Sequence, residues 1–128
     1  MNFAYTILYV DDVEKTVAFY ESAFGLTRKM VYGSDYGELS TGATTLSFSA
    51  KPFINELLSI PIQDTSLQTP PPAMEIALVT DDVQAAYARA IAAGAVAVKE
   101  PAAKPWGQIV AHVRDLNGFL VELCTAVS

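Results

Sequence analysis

The chain has 128 residues, of which 52% are hydrophobic, with 8 basic against 14 acidic side chains and a net charge of -6. That is enough apolar material to bury a core, which excludes disorder, and the acidic balance gives no electrostatic reason to bind nucleic acid or an anionic membrane. No apolar run reaches the roughly 18 to 20 residues of a membrane span, and no basic segment leads into an apolar one at the N-terminus, so a soluble, cytoplasmic protein is expected. Cys124 is the only cysteine, which leaves no intrachain disulfide and no thiolate metal cluster; it reads as a small buried apolar residue.

In chain order, Phe3 to Val10 is a short apolar run rich in aromatic and β-branched residues, which predicts a strand. Alternation puts Tyr5, Ile7 and Tyr9 on one face and Thr6, Leu8 and Val10 on the other. Asp12 then stands as a helix N-cap, Val13, Val17, Tyr20 and Phe24 form one apolar stripe, and Gly25 ends the helix. Strands follow at Thr27 to Tyr32, Tyr36 to Ser40 and Thr44 to Ser49, separated by Gly33-Ser34-Asp35 and Thr41-Gly42-Ala43. The first half is β-α-β-β-β.

From Lys51 to Ala73 the composition shifts to proline, including Pro70-Pro71-Pro72, with an apolar patch at Leu57-Leu58-Ser59-Ile60. This segment links the halves, and its patch reads as a packed connector, a short helix or a flap. The second half repeats the first. Met74 to Val79 is a strand, Asp82 caps a helix through Val83, Tyr87, Ala90 and Ile91, and Gly94 ends it. Val96 and Val98 fit a short strand, Glu100 to Pro105 a loop, Trp106 to Arg114 a strand, Asp115 to Gly118 a turn, and Phe119 to Thr125 the last strand. The fold class expected is α+β: two tandem β-α-β-β-β modules, 1–51 and 73–128, joined by a linker at 52–72 within a single domain spanning 1–128. The modules should build a cupped mixed sheet with helices on its convex face.

The duplicated plan, together with Tyr9-Val10-Asp11-Asp12-Val13, Phe19-Tyr20, Phe24-Gly25-Leu26, Trp106-Gly107 and Asp115-Leu116-Asn117-Gly118 before Val121-Glu122-Leu123, resembles the glyoxalase, bleomycin-resistance and extradiol-dioxygenase group, the vicinal oxygen chelate superfamily. The resemblance implies a cavity within the cupped sheet and a homodimer. It also implies a divalent metal held by one residue from each of four strands, usually His or Gln, Glu, His and Glu. At the matching positions this chain carries Tyr5, Ser47, Glu75 and Glu122.

A phenol with a pKa of about 10 and a serine hydroxyl are poor ligands for zinc, nickel or iron, so no metal ligands are assigned and no cofactor is expected beyond weakly held Mg²⁺ or Mn²⁺. Glu75 and Glu122 interrupt apolar strands and point to the same face. Brought close, they are a general acid and base pair; alternatively each meets a donor or solvent. His112, grouped by alternation with Gln108, Val110 and Arg114, is a third acid/base residue or a structural histidine. Tyr5, Tyr9, Ser47 and Trp106 are the expected ligand-binding residues, with the aromatic rings suited to a planar guest. Two functions follow from the resemblance. One is metal-independent binding of a small planar or cationic molecule, as in bleomycin-type antibiotic resistance. The other is a glyoxalase-like lyase or isomerase using Glu75 and Glu122.

Overall fold

The computed structural model describes residues 1–127. They divide into two compact units, Met1–Asp64 and Thr65–Ser128. In the first unit the order is β1 (Tyr5–Val10), α1 (Val13–Phe24), β2 (Thr27–Tyr32), β3 (Tyr36–Ser40), β4 (Thr45–Ala50) and α2 (Lys51–Leu58). In the second it is β5 (Glu75–Val79), α3 (Val83–Ala92), β6 (Val96–Ala103), β7 (Ile109–Arg114) and β8 (Leu120–Cys124). The fold is α+β, with the β-α-β-β-β plan written twice.

The strands hydrogen-bond as two four-stranded sheets in the orders β1-β4-β3-β2 and β5-β8-β7-β6. In each sheet three strands form an antiparallel meander whose last strand lies parallel to the first of the unit. The first and second strands of a unit are therefore at opposite sheet edges, and the helix between them must cross the sheet. A parallel connection needs such a crossover, and the length of α1 supplies it.

Crossing the sheet determines which face is buried. Leu8, Val10, Leu39 and Phe48 on the sheet and Val13, Val17 and Tyr20 on α1 are all at most 2% exposed. The Tyr20 ring lies 4.9 Å from Phe48 and 5.1 Å from Phe24. In the second unit Ala111, Val113, Val121 and Leu123 take the equivalent places, with Val83 and Ala90 buried on the helix. Both helices start alike: the Asp12 carboxylate accepts from Lys15 N, and the Asp82 carboxylate from Ala85 N, each at 3.0 Å. Such a cap satisfies a backbone donor that the helix cannot.

Of the alternatives open for the link after β4, the start of the segment takes the short helix, α2, whose Lys51 ammonium bridges Asp11 at 2.9 Å and Asp64 at 2.6 Å. Two stretches differ from the sequence expectation. Strand β6 runs on through Pro101 where a loop was expected. It is a sheet edge with register shifts on both sides of Lys99, so a residue without an N–H removes no needed ladder bond. Trp106 does not belong to β7; a turn closed by Gly107 N donating to Lys104 O at 2.9 Å takes it out of the ladder. Among the described residues no helix is long and apolar enough to cross a membrane.

Candidate functional site

With the helix side of each sheet filled by apolar residues, polar side chains on the sheets fall on the other face. In the second unit that face brings together Glu75, His112 and Glu122. His112 on β7 pairs with Glu122 on β8, which pairs with Ala77 on β5, and Glu75 stands two residues before Ala77 on the same face. His112 Nε2 lies 3.0 Å from Glu75 Oε2 and 3.4 Å from Glu122 Oε1. Both neighbours are carboxylates, which accept only, so Nε2 carries the proton and donates. The side chains are 38%, 24% and 20% exposed for Glu75, His112 and Glu122, so the group is open to a ligand yet partly desolvated.

Cys124 lies on this face beside Glu122 and is buried. Burial first, then a hydrogen bond with Glu122 and the charges of Glu122 and Glu75, push its thiol up to about 11. It is therefore not a thiolate nucleophile at neutral pH, which agrees with its reading as a packing residue.

The open face of the first unit differs. Tyr5 and Ile7 on β1 are 51% and 45% exposed, Tyr9 is partly exposed, and Ser47 on β4 is fully buried. Ser47 pairs with Ile7 on one side and Glu38 on the other. The Tyr36 hydroxyl donates to Glu38 Oε2 at 2.7 Å, and the Lys29 ammonium lies 3.6 Å from Glu38 Oε1. Burial raises the Tyr36 phenol above its ordinary value; a hydrogen bond with Ser47 works against that and the bond to Glu38 with it. Glu38 is thus a paired and mostly buried carboxylate.

The ladders make the two faces directly comparable. Ile7, Ser47 and Glu38 lie side by side in one sheet as Ala77, Glu122 and His112 do in the other. Tyr5, Ser47 and Glu38 are therefore the repeat counterparts of Glu75, Glu122 and His112. Trp106, expected at the mouth of its module, stands at the tip of the β6–β7 hairpin, 64% exposed, with its indole N–H donating to Gln108 Oε1 at 2.7 Å.

The sequence reading placed Glu75 and Glu122 on one face but left His112 apart, grouped along its own strand. Asp115 itself lies opposite Phe119, so counting outward from the Asp115 to Gly118 turn misses the ladder by one residue and sets His112 against Val121 instead of Glu122. The roles of Lys29 and Tyr36 beside Glu38 had no signal either, because they depend on where long side chains bend.

Glu75, His112 and Glu122 each offer one ligating atom, and these atoms lie within 4.8 Å of one another. Two carboxylate oxygens and an imidazole nitrogen are suitable donors for Zn²⁺, Mn²⁺ or Fe²⁺. An imidazole absent from the four positions implied by the resemblance is thus supplied by β7.

The comparisons with known proteins agree with this architecture. The sequence profile of the Glyoxalase/Bleomycin resistance protein/Dioxygenase superfamily matches residues 2–123. No curated protein matches the sequence significantly. Among solved structures, a glyoxalase-related enzyme from Fulvimarina pelagi superposes with a TM-score of 0.84 at 19% identity, covering 98% of this chain and 88% of that one. A glyoxalase/bleomycin resistance protein/dioxygenase family enzyme from Burkholderia phytofirmans PsJN superposes with a TM-score of 0.80 at 20% identity over the whole of both chains. TioX from Micromonospora sp. ML1 does so with a TM-score of 0.74 at 23% identity over 98% of each. At these identities the superpositions speak for the fold, and the profile match over nearly the whole sequence carries the assignment: the chain belongs to the glyoxalase/bleomycin resistance protein/dioxygenase superfamily.

Proposed function

We propose that the chain binds a small organic molecule bearing a cationic group on a planar frame, with the positive charge held against Glu75 and Glu122. The observation that carries this reading is the composition of that cluster: two carboxylates against a single imidazole, net negative whether or not His112 is protonated. A partly desolvated anionic group attracts a cation more strongly than a fully solvated one. Trp106 of the same unit, 64% exposed, offers an aromatic surface to a flat ligand. In this reading the chain works in the cytoplasm as a homodimer and sequesters a toxic ligand, the role after which the bleomycin-resistance branch of the family is named.

Titration of proflavine, a planar organic cation, by fluorescence in the presence of a chelator tests the proposal. A contact of about 1 kcal/mol corresponds to about a fivefold change in affinity, which is the loss expected for Glu75→Gln and for Glu122→Gln. Added salt should weaken binding. Equal affinity for the wild type and both variants would refute it.

A second reading, a glyoxalase-like lyase or isomerase, is favoured by the 3.0 Å contact between the His112 imidazole and the Glu75 carboxylate, which is proton-transfer distance. It predicts exchange of solvent deuterium into the carbon next to the carbonyl of a small α-hydroxy ketone, lost in Glu122→Gln. Exchange no faster with the wild type than with that variant would count against it.

A further inference from the structure

We infer that the second unit carries by itself a divalent-metal site in which His112 of β7 is the imidazole ligand, beside Glu75 of β5 and Glu122 of β8. The three residues lie on three neighbouring strands, so their backbones are fixed by continuous ladders rather than by loops. Both carboxylates turn an oxygen towards one atom, His112 Nε2, at 3.0 and 3.4 Å. The proton on Nε2 thus sits where two anionic oxygens converge on the ring nitrogen. A metal ion replaces it once the imidazole shifts its proton to Nδ1, since a neutral imidazole retains a lone pair on one ring nitrogen.

The repeat counterparts explain why the set is confined to this unit. At Tyr5 and Ser47 the first unit offers a phenol and a hydroxyl, and its one carboxylate in that group, Glu38, is engaged by the Tyr36 hydroxyl and the Lys29 ammonium. The family's four-strand arrangement is therefore not available to this sequence, whereas the Glu75, His112 and Glu122 set is.

The donor types also set the preference. An imidazole favours Co²⁺ and Zn²⁺ over Mg²⁺, which two carboxylates alone would not strongly discriminate. The inference concerns the same carboxylates as the proposed organic cation, so metal and proflavine should compete.

The experiment titrates the full chain with Co²⁺ alone, following visible absorption, and with Mg²⁺ by calorimetry. Expected is one Co²⁺ per chain, bound more tightly than Mg²⁺. Loss of a group that only orients a ligand costs roughly tenfold, so loss of a ligand itself in His112→Ala or Glu122→Gln should cost Co²⁺ at least that. Removal of the imidazole should also narrow the Co²⁺ over Mg²⁺ preference, while Tyr5→Phe and Ser47→Ala should bind Co²⁺ as the wild type does. Melting curves with chelator present identify any variant that fails to fold; for such a variant, His112→Gln takes its place. No Co²⁺ binding at millimolar concentration, wild-type binding by His112→Ala, or an equal loss in Tyr5→Phe or Ser47→Ala would overturn the inference. Proflavine binding that persists without Co²⁺ binding would leave the organic-ligand reading standing and remove only the metal site.

Discussion

Replacing Gly118 with alanine probes the turn that holds β7 and β8, and with them His112 and Glu122, in register. Gly118 has a φ of +95°, a conformation that residues with a Cβ disfavour by about 1 to 2 kcal/mol. A Cβ there would also stand 2.5 Å from the Ser66 carbonyl oxygen and 2.8 Å from Arg114 Nη2. Neither neighbour is free to yield. Ser66 O accepts from Arg114 Nη2 at 3.0 Å and from the Thr69 hydroxyl at 3.2 Å, while Arg114 also donates to Gly118 O at 2.9 Å and Thr69 O at 2.8 Å. Forcing extra volume into such a contact costs a further ~1 to 3 kcal/mol. The sum, about 2 to 5 kcal/mol, is a large part of the ~5 to 15 kcal/mol that keeps a domain folded, and should lower the Tm by roughly 10 to 20 °C. Gly107→Ala is the control: φ is +98° but nothing lies within 4 Å of its added Cβ, so only the conformational cost applies and the Tm should fall by about 4 to 8 °C. Thermal denaturation followed by circular dichroism measures both. Equal losses for the two variants would show that the Ser66 contact relaxes freely and refute the reasoning.

The Cys124 thiol, raised from 9.0 to about 11, should react slowly with a disulfide reagent at pH 8 in the folded protein and rapidly in denaturant; equal rates would contradict its burial beside Glu122. Its folded-state pKa lies above the unfolded one, so its contribution to stability is complete below pH 9 and is lost as pH rises towards 11; denaturant midpoints across that window measure it. Asp12→Ala and Asp82→Ala each remove one N-cap and should each cost about 1 kcal/mol in urea denaturation, additively because they cap separate helices; no loss in either variant would mean that water caps the helices equally well.

Much of the fold was readable because local rules and the global plan agree. The Asp12 and Asp82 caps, the stripe from Val13 to Phe24 and the turn chemistry at Gly33 and Asn117-Gly118 each set an element boundary close to the one observed. Strand β6 was misjudged at Pro101 because proline is a breaker only where its missing N–H is needed, and that depends on the strand lying at a sheet edge. Sequence does not single out helix α2 because its apolar residues face no neighbour within the sequence window, and only Ile54 of the helix is buried.

The candidate site divides in the same way. Alternation along a strand is local, so it assigns Glu75 and Glu122 to the face away from the helix, while composition establishes only that the chain as a whole is acidic. Which side chains touch is a matter of register between strands far apart in sequence. Only tertiary structure decided that His112 stands between the two glutamates, that Glu38 is its repeat counterpart, and that Lys29 and Tyr36 occupy that carboxylate. The physical reason is that a strand's pattern fixes the direction of each side chain, whereas its neighbours are chosen by the pairing that buries the opposite, apolar face.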